Sequence, residues 1–141
     1  MMRLAGSPSI RFDFFSRQDE MTLLEKLKGT ELDSSAASVV VAPGAGSENK
    51  RWPIGGFCQV IAELLETSPL PVAAVGDEKE AVLCARLAEI NPGRVVNLAG
   101  KITLRELAAL VQQAKLVLTN DSAVMHLGYE LRRRVVAVDV G

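Results

Sequence analysis

A short segment near the end of the chain carries the residues best suited to bind an anion. Residues 116–118 form an apolar run typical of a buried parallel strand, and the small polar residues 119–122 indicate a turn into a helix. Such a turn aims backbone N–H groups and the positive end of the helix dipole above the sheet, where phosphates are usually held. His126, the only histidine in the chain, follows about one turn into that helix. The segment therefore predicts a site for an anionic ligand.

Several residues of this segment could contact the ligand directly. Asp121 is either the N-cap of the helix or an acceptor for ligand hydroxyls, and one carboxylate can do both. The side chain of Ser122 and the backbone N–H groups of Ser122 and Ala123 are placed to bind phosphate. His126 could stabilise a leaving diphosphate as an imidazolium, or it could be a core histidine, since apolar residues flank it.

A second polar segment, residues 43–51, follows the first predicted strand. It is rich in glycine but has neither Walker A nor G-x-G-x-x-G spacing, so its spacing alone is a weak indicator of phosphate binding. Gly44 and Gly46 could simply permit a tight turn. Lys50 could offset the charge of a diphosphate with its ammonium group, or it could be a solvated surface lysine. Trp52 is predicted to pack at the start of the next helix rather than to touch a ligand.

Two further groups of residues lie where ligands bind in sheets of this kind. Asp77, Glu78 and Glu80 open a predicted helix, where they either only complement the helix dipole or also contact a ligand. Residues 101–103, with Ile102 at their centre, end the third loop, where a base or ribose often lies across the sheet.

The elements that must position these residues alternate regularly along the chain. Strands are predicted over residues 38–42, 71–75, 94–98, 115–119 and 134–138, with a helix in each interval. One of these helices starts at Thr103, which forms a capping box with Glu106 and leads a helix to about residue 114. The alternation predicts an α/β fold, a Rossmann-like doubly wound parallel sheet of order 3-2-1-4-5. The two polar segments meet where that order reverses, which is where such sheets bind ligands.

The first 37 residues follow a different pattern. Apolar residues (Ile10, Phe12 and Phe14) alternate with charged ones (Arg11 and Asp13). A helix is predicted over residues 19–28 with Gly29 ending it, and residues 30–38 are predicted to form a loop. We expect residues 1–37 to be a lead-in segment, an extended piece plus a short helix, packed against the sheet. Residues 38–141 then form the ligand-binding domain.

Composition limits the classes of function. The chain has 141 residues, 16 basic and 17 acidic, so its net charge of −1 creates no field that would attract nucleic acid. Cys58 and Cys84 lie in apolar helical stretches, which favours inert thiols in a reducing compartment and no metal site. No stretch reaches the ~18 apolar residues of a membrane span and no signal core is present, so we expect a soluble, cytoplasmic protein.

Four strings carry a specific resemblance. They are V-V-A-P-G-A-G-S-E-N-K-R-W-P, V-G-D-E-K-E, N-L-A-G-K-I-T-L-R-E-L-A-A-L and L-T-N-D-S-A-V-M-H-L-G-Y-E-L. In order and spacing they resemble the C-terminal half of family 9 glycosyltransferases, the lipopolysaccharide heptosyltransferases, over about residues 38–140. The resemblance implies one half of a GT-B architecture that holds a nucleotide sugar, typically ADP-heptose, for transfer with inversion. It implies no cofactor and no bound metal.

The resemblance also implies a role for each matching residue. Lys50 would contact the donor diphosphate or sugar, Glu80 the ribose, Ile102 the adenine, Asp121 the sugar, the N–H of Ala123 the diphosphate, and His126 the phosphate region. The family commonly has glycine at position 123, and a methyl group there would narrow the approach of the diphosphate. The chain ends at Gly141, where the family usually continues into a further loop and closing helices.

The N-terminal half of the family binds the acceptor, the lipid A core oligosaccharide, and supplies the acidic general base. We therefore expect a donor-binding domain that cannot transfer sugar alone and contains no catalytic base. Its parent enzyme would work at the cytoplasmic face of the inner membrane. An apolar face left by the missing half could drive self-association.

Two alternatives come from other classes of protein. One is a nucleotide-sugar epimerase or another GT-B half-domain, for which UDP rather than ADP would be preferred. The other is a Rossmann-like interaction domain that responds to no nucleotide.

Overall fold

The computed structural model describes residues 14–33, 37–44, 52–120 and 123–138. The elements follow in the order α1 (Arg17–Leu27), β1 (Ser38–Ala42), α2 (Ile54–Thr67), β2 (Val72–Ala74), α3 (Ala81–Ala88), β3 (Val95–Asn97), α4 (Leu104–Gln112), β4 (Ala114–Asn120), α5 (Ala123–Glu130) and β5 (Val135–Val138). A 3-10 turn, Glu78–Glu80, leads directly into α3. The alternation predicted from the apolar pattern is thus confirmed.

Within the described residues, the strands form one parallel sheet of five strands in the order β3-β2-β1-β4-β5. This is the predicted order. The central strand β1 pairs on both sides, so that Val40 lies opposite Ala73 of β2 and Val117 of β4. The chain moves outward from β1 through β2 to β3 and then returns to β4, so the order reverses between β1 and β4. A crevice opens above the carboxyl ends of strands at such a reversal.

Each face of the sheet is covered by helices. Val40 points to a cluster that includes Leu23 and Leu27 of α1 and Val111 of α4. Its neighbours Val39 and Val41 point to the other face, where α2 and α3 contribute a second cluster. Because successive strand residues alternate between faces, a strand covered on both sides is apolar along nearly its whole length, as β1 is from Val39 to Ala42. The sheet is therefore doubly wound.

Strand lengths differ from the prediction in a way that pairing explains. Strands β2 and β3 are three residues long instead of five. By contrast, β4 extends two residues beyond its predicted bounds because it pairs with β1 at Ala114 and with β5 at Asn120. The pairing of Ala114 with Ser38 also ends α4 at Gln112, two residues earlier than predicted.

Helix α1 is anchored on the sheet domain by apolar and charged contacts. Its residues Leu23 and Leu27 are buried in the first core cluster. Nζ of Lys26 lies 2.6 Å from Oε1 of the buried Glu106 in α4, and a second ion pair joins Asp19 to Arg105. Past the helix, Gly29 adopts a φ of +84°, a conformation that favours glycine. Of the predicted alternation over residues 10–14, residues 10–13 lie outside the described ranges.

The capping box predicted at Thr103 is present and shapes the environment of Glu106. The Thr103 hydroxyl accepts a hydrogen bond from the Glu106 N–H, and Oε1 of Glu106 accepts one from the Thr103 N–H at 2.8 Å. Burial by itself raises the pKa of Glu106, but hydrogen bonds from Lys26, Thr22 and Thr103 and the charge of Lys26 outweigh it, so the pKa falls to about 2. Glu106 therefore stays ionised at neutral pH.

Both cysteines are free thiols, with Cys84 buried and Cys58 half-buried. No helix in the described part of the chain is both long and apolar enough to cross a membrane.

Candidate functional site

The site forms where the carboxyl ends of β1 and β4 meet. Ala42, the last residue of β1, pairs with Thr119 of β4, and the residues that follow on each strand, Pro43, Gly44 and Asn120, are buried. The two polar segments singled out from the sequence begin here. This confirms that the first and fourth loops start beside each other at the strand-order reversal.

Asn120 joins these two segments through its side-chain amide. Nδ2 donates to the carbonyl oxygen of Pro43 at 2.8 Å and to that of Gly44 at 3.3 Å. Oδ1 accepts a hydrogen bond from the backbone N–H of Trp52 at 2.8 Å. The side chain has no exposed surface. Asn120 therefore contacts Pro43 and Gly44, which precede the undescribed residues 45–51, and Trp52, which follows them.

Asn120 is not among the site residues predicted from the sequence. The signal was present, because an amide placed directly after the apolar run of residues 116–118 sits at a strand end and, if buried, must find hydrogen-bond partners. Which partners it finds depends on the neighbouring strand. The sequence alone could not identify them.

Glu80 lies over the carboxyl ends of β1 and β2. The N–H of Asp77 donates to its Oε1 at 2.9 Å, and the Asp77 carboxylate accepts from the Glu80 N–H, so the two residues form a capping box. A Cβ atom placed on Gly44 would lie 1.5 Å from Oε2 of Glu80, and one on Gly76 would lie 2.6 Å from Oε1. The carboxylate is thus packed against both glycine backbones. Glu80 can therefore complement the helix dipole and lie at the ligand crevice at the same time.

Trp52 packs at the start of α2, as predicted. Its ring lies 5.0 Å from that of Phe57 in an edge-on arrangement at 64°. The ring also covers Gly56, where a Cβ atom would lie 2.4 Å from the indole. These contacts use the indole as part of the core of the second face.

Helix α5 begins at Ala123, which places its N-terminus immediately after the end of β4 and the two undescribed residues 121–122. His126 lies in the first turn of α5, and its side chain is exposed. Exposure rules out the alternative of a core histidine. The side chain is free to meet a ligand or solvent.

The remaining predicted site residues divide into two groups. Ile102 follows β3 at the same end of the sheet and is half-buried against the first core cluster. Lys50, Asp121 and Ser122 lie outside the described residues. Within the described residues, no group of three His, Cys, Asp or Glu side chains is close enough together to hold a metal ion.

Sequence comparison with known proteins matches the chain to one family. The sequence profile of a family described as glycosyltransferase family 9 (heptosyltransferase) matches residues 6–138. The chain is 32% identical to lipooligosaccharide heptosyltransferase 2 of Haemophilus influenzae over 126 residues, which are 86% of this chain and 36% of that protein. It is 29% identical to lipopolysaccharide heptosyltransferase 2 of Escherichia coli K12 over 111 residues, 76% of this chain and 32% of that protein. The chain thus spans about a third of the length of these relatives.

Solved structures share the fold. The structure of E. coli ADP-heptose lps heptosyltransferase II superposes with a TM-score of 0.74 at 24% identity, covering 88% of this chain and 38% of that one. The structure of E. coli heptosyltransferase WaaC with ADP superposes with a TM-score of 0.69 at 22% identity, covering 96% of this chain and 38% of that one. At these identities the likeness shows the Rossmann-like sheet of a GT-B half.

Proposed function

Because the chain belongs to glycosyltransferase family 9, we propose that it is the donor-binding half of a lipopolysaccharide heptosyltransferase. It binds an ADP-heptose-like nucleotide sugar, and the complete enzyme transfers the heptose to the inner core with inversion. The acceptor, a lipid A core oligosaccharide, and the general base belong to the other half of the enzyme. On this proposal these residues, which span about a third of the length of the relatives, bind nucleotide but do not transfer sugar by themselves.

The observation that carries this proposal is the position of the Glu80 carboxylate. It lies at the carboxyl ends of β1 and β2, next to the strand-order reversal, and Asp77 holds it through Oε1. In nucleotide-binding sheets, an acidic residue in this region accepts hydrogen bonds from ribose hydroxyls. No hydrogen bond joins Oε2 to any other described residue, so this oxygen is available to a ribose hydroxyl.

The diphosphate then lies across the reversal, towards α5. The N-terminus of α5 supplies backbone N–H groups, including that of Ala123, and a partial positive charge. His126 is exposed in the first turn, where its imidazolium form stabilises the negative charge that develops on the departing ADP. With this charge compensation the donor requires no metal ion and no cofactor. Lys50, Asp121 and Ser122 complete the proposed contacts to diphosphate and sugar.

The adenine is placed beyond β2, against Ile102. This side chain follows β3 and is half-buried, so that part of its apolar surface remains open to a flat base. E. coli heptosyltransferase WaaC has been solved with ADP and with ADP-2-deoxy-2-fluoro heptose. Those ligands support ADP over UDP as the nucleotide of this chain.

The proposal is tested by calorimetric titration of the chain with ADP, UDP and GDP. We expect ADP to bind most tightly, and expect weaker binding in Glu80→Gln, which loses a charged acceptor, and in His126→Ala. The matched control is Glu89→Gln, because Glu89 is exposed at the C-terminal end of α3, away from the site. A preference for UDP would indicate another class of GT-B protein. No binding of any nucleotide would contradict a donor site in these residues and favour an interaction domain.

A further inference from the structure

We infer that Asn120 is a positioning residue of the nucleotide-sugar site, an inference that rests on the proposed function. Its amide holds the backbone of Gly44 in the place that seats the Glu80 carboxylate. Asn120 itself is buried and contacts backbone groups, so it acts on the donor through Gly44 and Glu80.

The three hydrogen bonds of Asn120 require an amide. Two backbone carbonyls, those of Pro43 and Gly44, accept from one side of the group, and the Trp52 N–H donates to the other side. An amide offers two donors and one acceptor oxygen in this arrangement. Aspartate has the same shape but would turn a carboxylate oxygen towards the two carbonyls, and leucine would offer no partner to any of them.

These bonds link the two sides of the strand-order reversal. Asn120 ends β4, which is followed by α5 and its N–H groups, whereas Pro43 and Gly44 follow β1. The Glu80 carboxylate packs against the same Gly44 backbone. A shift of the Gly44 backbone would therefore move the surface that supports Glu80 relative to the N-terminus of α5. The Asn120 amide therefore fixes the distance between the proposed ribose contact, Glu80, and the proposed phosphate contact at the N-terminus of α5.

The buried setting makes this arrangement strict. Asn120 is fully buried and Pro43 and Gly44 are buried too, so solvent cannot replace a lost partner. A buried acceptor left without its donor is costly, and the backbone relaxes to find another partner. The three bonds span 68 to 77 residues of sequence, so they define tertiary position rather than local turn geometry.

The experiment uses Asn120→Asp, with Asn91→Asp as the matched control. Asn91 precedes β3 at the amino ends of the strands, away from the site, and its Oδ1 accepts a hydrogen bond from the Arg94 N–H, which a carboxylate can still accept. Two quantities are measured at a temperature at which wild type and both variants are folded. They are the ADP affinity, by calorimetry, and the fluorescence emission of Trp52, the only tryptophan in the chain. We expect Asn120→Asp to weaken ADP binding about tenfold or more and to shift the Trp52 emission, because the carboxylate repels both carbonyls. Asn91→Asp should change neither.

A pH profile separates positioning from a general loss of packing. Burial raises the pKa of a carboxyl group, and the carboxyl introduced by Asn120→Asp would, once protonated, again donate one hydrogen bond. ADP affinity of the variant should therefore recover, relative to wild type, between about pH 8 and about pH 5. An affinity ratio that does not change with pH would overturn the positioning role.

Should Asn120→Asp fail to fold, amide hydrogen exchange in the wild-type chain takes its place. The Trp52 N–H, bonded to Oδ1 of Asn120, should be protected and should gain protection when ADP binds. Exchange at the rate of a free amide would overturn the inference. If wild type binds ADP and Asn120→Asp binds it equally well, the inference fails and the proposed function stands. If wild type binds no nucleotide, the proposed function fails, and the Trp52 emission and amide protection alone decide whether Asn120 holds Trp52 beside Pro43 and Gly44.

Discussion

The carboxylate of Glu80 fills the space that a side chain at Gly44 would occupy. A Cβ atom on Gly44 would lie 1.5 Å from Oε2 of Glu80. Gly44 does not have the positive φ seen at Gly29 and Gly100. Glycine is therefore not required at this position by a positive φ, and its lack of a side chain permits the close approach of Glu80. Glu80 can reach the crevice because residue 44 is glycine.

This contact predicts that Gly44→Ala separates binding from stability. The added methyl group meets the end of a flexible side chain, so Glu80 can turn away with the loss of its hydrogen bond from the Asp77 N–H, and the free energy of unfolding should fall by only about 1 kcal/mol. ADP binding should weaken clearly, because the displaced carboxylate no longer meets the ribose. Calorimetry and urea unfolding of the same preparation measure both quantities. Unchanged ADP affinity would contradict this account of Gly44.

Gly55→Ala is the matched control. Gly55 lies in the first turn of α2, is exposed, and has no atom within 4 Å of an added Cβ. Alanine loses less backbone entropy than glycine on folding, so the variant should be more stable by about 0.5–1 kcal/mol. Its ADP affinity should equal that of wild type.

The Lys26–Glu106 ion pair predicts a loss of stability in acid. The pKa of Glu106 is about 2 in the folded chain, below its ordinary value of 4.5. A lowered pKa means that this carboxylate stabilises the fold fully above about pH 4.5, and that the contribution disappears as the pH falls towards about 2. Glu106→Gln should cost about 1–3 kcal/mol at neutral pH, since a charge-assisted bond to Lys26 is lost.

Urea unfolding between neutral and acid pH measures this contribution. The Glu106→Gln variant should lose less stability than wild type over the acid range. Glu25→Gln is the control, because Glu25 pairs with Lys28 on the surface, where both side chains are more than 65% exposed. A loss of stability in Glu25→Gln equal to that in Glu106→Gln would contradict the importance of burial.

Arg94 is predicted to hold the end of α2. Its guanidinium donates to the carbonyls of Leu65, Ser68 and Leu70, which close α2 and lead into β2. Lysine carries a single ammonium on a flexible stem and cannot reproduce this fork, so Arg94→Lys should lower the free energy of unfolding by about 1–2 kcal/mol. Thermal unfolding measures the loss. Arg86→Lys, on the exposed last turn of α3, should be neutral.

The two thiols should differ in reactivity. Burial raises the pKa of Cys84 to about 12, with the charges of Glu80 and Asp77 adding to the effect. Its Sγ also donates to the Val75 carbonyl, whereas Cys58 is half-buried. A thiol reagent at mildly alkaline pH should modify Cys58 alone, since the thiolate is the reactive form. Mass spectrometry of native chain and of Cys58→Ser shows which thiol reacts, and rapid labelling of Cys84 in folded protein would contradict the prediction.

Local sequence patterns were sufficient to predict the elements, the strand order and the meeting of the first and fourth loops at the strand-order reversal. Apolar alternation over β1 and the Thr103–Glu106 capping box depend on residues near each other in the chain, and so does the glycine-rich segment after β1. Strand bounds were less accurate, because the ends of β2 and β4 are decided by their pairing partners. Local patterns predict local structure because their free energy is set within a few residues.

Only the three-dimensional structure shows which polar groups contact each other. Asn120 bonds to Gly44 across 76 residues, Lys26 to Glu106 across 80, and the Glu80 carboxylate packs on the Gly44 backbone. Each contact depends on the relative position of elements that the core brings together, and a buried polar group accepts whichever partner lies within about 3 Å. Neither the composition of the chain nor the spacing of its residues specifies that distance. The type of each residue was readable from the chain, but its partner was not.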